Sequence, residues 1–444
     1  MLQTADFSDL LATVDSEVKI RGNLKRVLEA LDESKRDMFL HFRQHLDSDA
    51  AAQAVTLKIQ NLCLAKYHYQ AQSATVLSRP FGLVVDPSNF CNLQCPGCVH
   101  SPSAKKEYSW ETGNLGYDDF AAYMNRYGAY ATHITMCSWG EPLLNKHTPA
   151  FLRLAKQYLI RTMLSTNLSI PRLDAEAYVA SGLDFLVLSI DGATQPIYEE
   201  YRRKGKLDVV YQNLRNLVEV KKRLGKQTPI LSWQFLAFEH NQHEIPLAIQ
   251  TARELGVDMI SVCQPFDVSW DVPSIRPSNV DGQTEFFNTD CGVGIHNNWN
   301  AFPDELAAEA IGREFALQWI DRLPADSVEE PAEASEHTCR WLYSNMTLDA
   351  NRQIAPCCGA PRQTFDLDFG RFEASSGEDV FNSDKYRYSR KYFSGLPQAP
   401  MLKQPHCVSC RWDQDKPNIG PVHVDQYLFD VPAIDPASRA LLCG

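Results

Sequence analysis

The sequence predicts an α/β fold whose centre is a partial (β/α)6 barrel. Between Phe81 and Gln264 six short apolar runs alternate with helical patterns. Each connection is long enough for a helical crossover, which makes the strands parallel and the crossovers right-handed. The polar motifs of this stretch fall after those runs, at the carboxyl ends where such barrels carry their chemistry.

Taken in order, residues 1–75 read as a helical extension. Leu24, Val27, Leu28 and Leu31 repeat at i, i+3, i+4 and i+7, and Met38, Phe39, Phe42 and Leu46 continue the stripe. Residues 76–264 are the barrel. Its strand-like runs are Gly82 to Asp86, His133 to Cys137, Thr162 to Ser165, Phe185 to Ile190, Ile230 to Ala237 and Met259 to Val262. The helical patterns between them cover Tyr117 to Tyr127, Pro149 to Leu159, Asp174 to Ser181, Leu207 to Leu224 and His243 to Leu255. Residues 265–338 break the rhythm and read as an insert or lid with one helix, from Pro303 to Leu323, before an acidic, Ala-rich stretch. Residues 339–444 form a second cysteine-bearing region.

Composition narrows the class. The 444 residues are 44% hydrophobic, enough for a sizeable core. No run approaches the roughly 20 apolar residues of a membrane span, and the start lacks the basic-then-apolar pattern of a signal peptide, so the expected location is the cytoplasm. A formal net charge of -12 argues against nucleic acid as a partner. The 13 cysteines are odd in number and form no regular framework, so they read as metal ligands and buried thiols rather than disulfides.

Three of them are spaced C-x3-C-x2-C: Cys91, Cys95 and Cys98. Three thiolates can hold three irons of a four-iron cubane and leave the fourth open to a small molecule. Zinc sites favour paired C-x2-C arms, which the x3 gap fits poorly. After the second run comes Trp139-Gly-Glu-Pro142; after the third, Ser165-Thr-Asn167; after the fourth, Ser189-Ile-Asp-Gly192. The segment resembles the radical S-adenosylmethionine (SAM) superfamily. The resemblance implies that the open iron of a 4Fe-4S cluster chelates SAM, and that an electron through the cluster cleaves it to methionine and a 5'-deoxyadenosyl radical. It further implies that Glu141 accepts from the methionyl ammonium group, that Asn167 and Ser189 contact the ribose or carboxylate of SAM, and that Arg202, or its neighbour Arg203, pairs with that carboxylate. Two departures stand out: Trp139 occupies the first glycine of the family's GGE motif, and Gly97 replaces the usual aromatic residue.

Cys339, Cys357, Cys407 and Cys410 make a second set. One cysteine, a hairpin-like stretch ending at Pro356-Cys-Cys358, a spacer with Val380-Phe-Asn-Ser383 and a C-x2-C pair resemble the SPASM/twitch subgroup in its one-cluster, twitch-like form. The resemblance implies an auxiliary 4Fe-4S cluster; Cys358 could replace Cys357, and four thiolates also suit zinc. Asn351-Arg352 stands where a hairpin glycine is usual, with Asn351 the residue expected to tolerate a left-handed turn.

The resemblance thus implies a radical SAM oxidoreductase or epimerase: a TIM-like partial barrel with a C-terminal twitch/SPASM iron-sulfur domain. Its substrate would be a small polar metabolite or glycoside in a biosynthetic pathway, or alternatively a ribosomally made peptide matured by epimerisation, crosslinking or excision. It calls for an external electron donor such as flavodoxin or ferredoxin. If the outcome is epimerisation, Cys263, directly after the sixth run, and Cys291, in the insert, are the candidate hydrogen donors.

Overall fold

In this computed structural model the described residues are 54, 57–58, 61–62, 65, 68–69, 72–102, 110–265, 274–288, 339–357, 369–376, 379–396, 399–401 and 404–410. Most of the expected N-terminal helical extension lies outside them, as do the helix from Pro303 to Leu323 and the candidate Cys291.

The alternation within the barrel segment folds as β1 (Gly82–Val85), α1 (Tyr117–Tyr127), β2 (His133–Met136), α2 (Thr148–Gln157), β3 (Arg161–Thr166), α3 (Ala175–Ala180), β4 (Phe185–Ser189), α4 (Gln195–Tyr201), α5 (Leu207–Arg223), β5 (Ile230–Leu236), α6 (Ile245–Leu255) and β6 (Met259–Cys263). All six strands sit where their apolar runs predict, and each pairs in parallel with the next. The short α4 was not anticipated: its seven residues, Gln195-Pro-Ile-Tyr-Glu-Glu-Tyr201, offer too few turns for periodicity to show.

The sheet runs further than six strands. β7 (Gln283–Phe286) pairs antiparallel with β6, and beyond α7 (Trp341–Ser344) come β8 (Asn345–Leu348) and β9 (Ile354–Ala355). β8 lies parallel to β1, with Gly82 opposite Asn345, so the sheet order is β7-β6-β5-β4-β3-β2-β1-β8-β9. β8 and β9 form the expected hairpin. The left-handed position in its turn falls on Arg352 (φ 66), not on Asn351, whose side chain instead donates to the Glu111 carbonyl at 2.7 Å.

The helices cover one face. Leu83, Val85, Ile134, Leu164, Leu186, Leu231 and Trp233 share a core with Phe120, Phe151, Val179, Val210, Leu214 and Ala248 of the helices. Two ion pairs pin helices to strands at the amino ends. Lys156 Nζ meets Asp184 at 2.7 Å, and Lys221 Nζ meets Asp258 at 2.7 Å, while Asp258 also accepts the Leu231 N–H.

Arg390 of α8 (Asp384–Phe393) ties the C-terminal region to the barrel. The side chain is fully buried and donates to the carbonyls of Ala74, Leu342 and Phe381, with the Tyr343, Phe381 and Tyr386 rings beside the guanidinium. Asn382 donates to and accepts from the backbone of Val76. Among the described residues no helix is long and apolar enough to cross a membrane.

Candidate functional site

The loop after β1 carries Cys91, Cys95 and Cys98, and its shape follows from local chemistry. Gly97 has φ +73, a left-handed conformation that a side chain would strain, and the turn it makes lets the Cys98 N–H donate to the Cys95 carbonyl at 3.2 Å. This explains why glycine stands where an aromatic residue was expected.

The loop after β2 is pressed against the first. A Cβ on Gly140 would lie 1.6 Å from the Ser88 carbonyl oxygen, so only glycine fits, and the Glu141 N–H donates to Phe90 O at 2.9 Å. Trp139 has a reason of its own. Its N–H donates to Asp86 at 2.9 Å, its carbonyl meets His100 Nε2 at 2.6 Å, and its ring stands edge-on to Trp110 at 6.2 Å.

Glu141 is buried and bridges two strand ends. Its carboxylate accepts from Leu143 N at 3.1 Å, Thr166 Oγ1 at 2.7 Å and Asn167 N at 2.8 Å. Burial pushes its carboxyl up, and these three donors pull it back. Asn167 then passes the connection to the cysteine loop: its Nδ2 donates to Asn92 Oδ1 at 3.1 Å and toward Cys91 Sγ at 3.6 Å.

Arg202 approaches from the end of α4. Its Nε donates to Asp191 at 2.5 Å and its Nη1 reaches Cys95 Sγ at 3.9 Å. Asp191 also accepts the Leu236 N–H at 2.7 Å. Burial pushes the Asp191 carboxyl up, offset by Arg202. Arg203 takes a backbone role, accepting from Gln94 N at 3.1 Å. Ser189 Oγ lies 3.4 Å from Ser165 Oγ, and Cys263 is the last residue of β6, in register with Leu236, rather than beyond the strand.

The structure therefore gathers Cys91, Cys95, Cys98, Glu141, Asn167 and Arg202 at the carboxyl ends of β1 to β4. Asp191, which lies in the Ser189-Ile-Asp-Gly192 motif but was given no role from sequence, belongs with them; its signal was its place in that motif, two residues beyond β4. The three thiols pack with Leu93, Tyr201, Phe238 and Ile275. Burial is the main reason the pKa values of Cys91 and Cys95 rise, Cys95 to about 12, and the neighbouring thiols add to it.

The chemistry of this donor set suits an iron-sulfur cluster. All three candidate ligands are soft sulfurs, and three donors point at two of them: Leu93 N at 3.4 Å and Asn167 Nδ2 on Cys91, and Arg202 on Cys95. Donors to sulfur are what thiolate ligands need once deprotonated by metal.

The second set also comes together. Burial pushes the Cys339 thiol up to about 12, helped by Cys357 and Cys410, and raises Cys407 well above its ordinary value, helped by Cys357, Cys339 and Cys410. Cys358 lies outside the described residues. None of the described cysteines is in a disulfide, and among the described residues no three His, Cys, Asp or Glu side chains are placed to hold a single metal ion.

Residues 85–231 match the family described as the Radical SAM superfamily. Over 171 residues the chain is 25% identical to Fe-coproporphyrin III synthase of Methanosarcina barkeri, covering 38% of this chain and 40% of that one. Similar solved structures include Streptococcus suis SuiB bound to S-adenosylmethionine, at 16% identity and TM-score 0.42, covering 71% of this chain and 65% of SuiB. BtrN in complex with AdoMet and 2-DOIA gives 14% identity and TM-score 0.37, covering 71% of this chain and 88% of BtrN. The chain thus spans less than two thirds of the length of the curated relative and of SuiB.

Proposed function

We propose that this chain is a radical SAM enzyme acting on a small polar metabolite or glycoside. The observation that carries the reading is the convergence of Cys91, Cys95 and Cys98 with Asn167 and Arg202 at the strand ends, inside the segment that matches the Radical SAM superfamily. Cys91, Cys95 and Cys98 would hold a 4Fe-4S cluster, and Cys339, Cys357, Cys407 and Cys410 an auxiliary one in a twitch-like domain. When bound, the first cluster and SAM together supply the electron and the 5'-deoxyadenosyl group that abstract a substrate hydrogen.

The protein's residues position and shield. In this reading Glu141, Asn167, Ser189 and Arg202 would offer an acceptor, an amide, a hydroxyl and a guanidinium to the amino acid and ribose parts of SAM. The paired Asp191 keeps the guanidinium oriented. Leu93, Tyr201, Phe238 and Leu236 keep water from the thiols. For an epimerisation, Cys263 and Cys291 are the thiols proposed to return a hydrogen atom; for an oxidation, Cys339, Cys357, Cys407 and Cys410 would hold an auxiliary cluster able to accept the electron. The reductant is an external donor such as flavodoxin or ferredoxin.

The test is anaerobic reconstitution. The chain should bind about eight irons, and replacing Cys91, Cys95 and Cys98 together by Ala should leave about four and abolish reductive SAM cleavage. Retention of cleavage in that triple variant overturns the proposal.

A further inference from the structure

The donors that face the sulfurs of the cysteine loop differ in charge. Cys91 Sγ receives the Leu93 N–H at 3.4 Å and the Asn167 amide at 3.6 Å, both neutral. Cys95 Sγ is met by Arg202 Nη1 at 3.9 Å, which carries a positive charge. Of the charged side chains acting on Cys95, Arg202 acts most strongly and favours the thiolate, while Asp191 opposes it.

That charge is held in place from several directions. Arg202 Nε donates to Asp191 at 2.5 Å, and the side chains are 14% and 0% exposed. Asp191 is itself fixed between β4 and β5, since its carboxylate accepts the Leu236 N–H at 2.7 Å and its carbonyl accepts Asn241 Nδ2 at 3.0 Å. On the backbone, Arg202 N–H donates to Tyr198 O at 2.9 Å and Arg202 O accepts the Gly205 N–H at 2.8 Å. A Cβ on Gly205 would lie 2.8 Å from that carbonyl oxygen, so the turn that aims Arg202 inward needs glycine. The Tyr201 ring lies 5.2 Å from the guanidinium carbon.

Little water is available to screen this pair from the sulfur. Leu93, Tyr201, Phe238 and Ile275 are buried around Cys95, itself 6% exposed. A charge acts more strongly in such a low-dielectric setting than at an exposed surface.

Resting on the function proposed above, we infer that Arg202 and Asp191 together set the reduction potential of the cluster that Cys91, Cys95 and Cys98 would hold, the guanidinium raising it through Cys95 and the carboxylate trimming that effect. Iron-sulfur potentials follow net charge, hydrogen bonds to the sulfurs and solvent exposure, and this pair bears on all three. The couple is a one-electron one. The electron comes from the external donor, the cluster gains one negative charge, and a cation touching a ligand sulfur favours the reduced form. Asp191 is a positioning residue: it bonds Arg202 and tempers its charge, as partners of metal ligands do elsewhere. Removing either charge alone leaves the other uncompensated, so the two removals shift the potential in opposite directions.

Spectroscopic redox titration of the full-length, iron-reconstituted protein, with SAM left out, tests this. The variant with Cys91, Cys95 and Cys98 all replaced by Ala supplies the signal of the second cysteine set, which is subtracted. Arg202→Gln should lower the reduced-to-oxidised ratio of the cluster at the Cys91 loop, at a fixed poise, by about tenfold, or ~59 mV for one electron. Asp191→Asn should raise that ratio by about tenfold. Arg202→Lys, which keeps the charge, should stay within about threefold of wild type. The second cysteine set should titrate alike in every variant, which separates a local charge effect from damage to the fold. Shifts of the same sign in Arg202→Gln and Asp191→Asn, or shifts under about twofold, overturn the inference. If Asp191→Asn takes up no cluster at the Cys91 loop, Arg202→Gln against Arg202→Lys decides, and equal ratios overturn it. Opposed shifts in a protein that cleaves no SAM would keep the inference and remove the proposed chemistry; SAM cleavage with unmoved potentials would do the reverse.

Discussion

Arg202 and Cys95 are 107 residues apart in sequence, yet Nη1 of the one lies 3.9 Å from Sγ of the other. The contact exists because Asp191, fully buried at the end of β4, holds Nε of the same guanidinium. Asp191→Ala would leave a buried cation without its partner. It should lower unfolding free energy by about 3–5 kcal/mol, while the double replacement Asp191→Leu with Arg202→Met should recover part of that loss. Chemical denaturation of Asp191→Leu, Arg202→Met and the double variant, beside Asp191→Ala, measures it, and full additivity of the two single changes would deny the coupling.

Gly140→Ala should prevent the loops after β1 and β2 from closing on one another, because the added methyl meets the Ser88 carbonyl backbone at 1.6 Å. Iron bound at the Cys91 loop should fall, while iron at Cys339, Cys357, Cys407 and Cys410 stays. Spectroscopic iron counts equal to wild type would show that the loops can shift at no cost.

Glu141→Ala removes one buried carboxylate and three hydrogen bonds, joining the ends of β2 and β3. SAM affinity should weaken by about 1.5–3 kcal/mol through loss of a charge-assisted acceptor, and stability should fall as Thr166 and Asn167 N lose theirs. Titration calorimetry reads the first effect and denaturation the second. Unchanged SAM binding with reduced stability would make Glu141 a loop brace alone.

Lys58 gives a pH dependence. Its ammonium is fully buried, donates to the carbonyls of Gly128 and Ala131 behind α1, and burial pushes its pKa down from 10.5 to about 7. Between about 7 and 10.5 the unfolded chain binds a proton that the folded chain does not. Stability from this group therefore rises with pH across that window, and below it the folded state bears the full cost of a buried charge. Denaturant midpoints measured from pH 7 to 10 should climb for the wild type and lose that component in Lys58→Met.

Much of this was legible in the amino-acid sequence. The six parallel strands appear as apolar runs because both faces of their central residues are at least partly covered, and helices such as α5 show Val210, Leu214, Leu217 and Lys221 on one buried stripe. The three-cysteine spacing is likewise local, since six intervening positions suffice to bring Cys91, Cys95 and Cys98 into one loop. What the sequence does not hold is any distance between residues far apart in the chain. Only the tertiary structure placed β8 beside β1, moved the left-handed turn from Asn351 to Arg352, and made Asp191 the partner of Arg202. The serines of β3 to β6 are unremarkable one at a time; strand register alone sets Ser189, Gln234 and Ser261 in one row beneath the cysteines. Periodicity records which side of its own element a residue occupies, whereas a site is a meeting of several elements, and that is decided by how they pack.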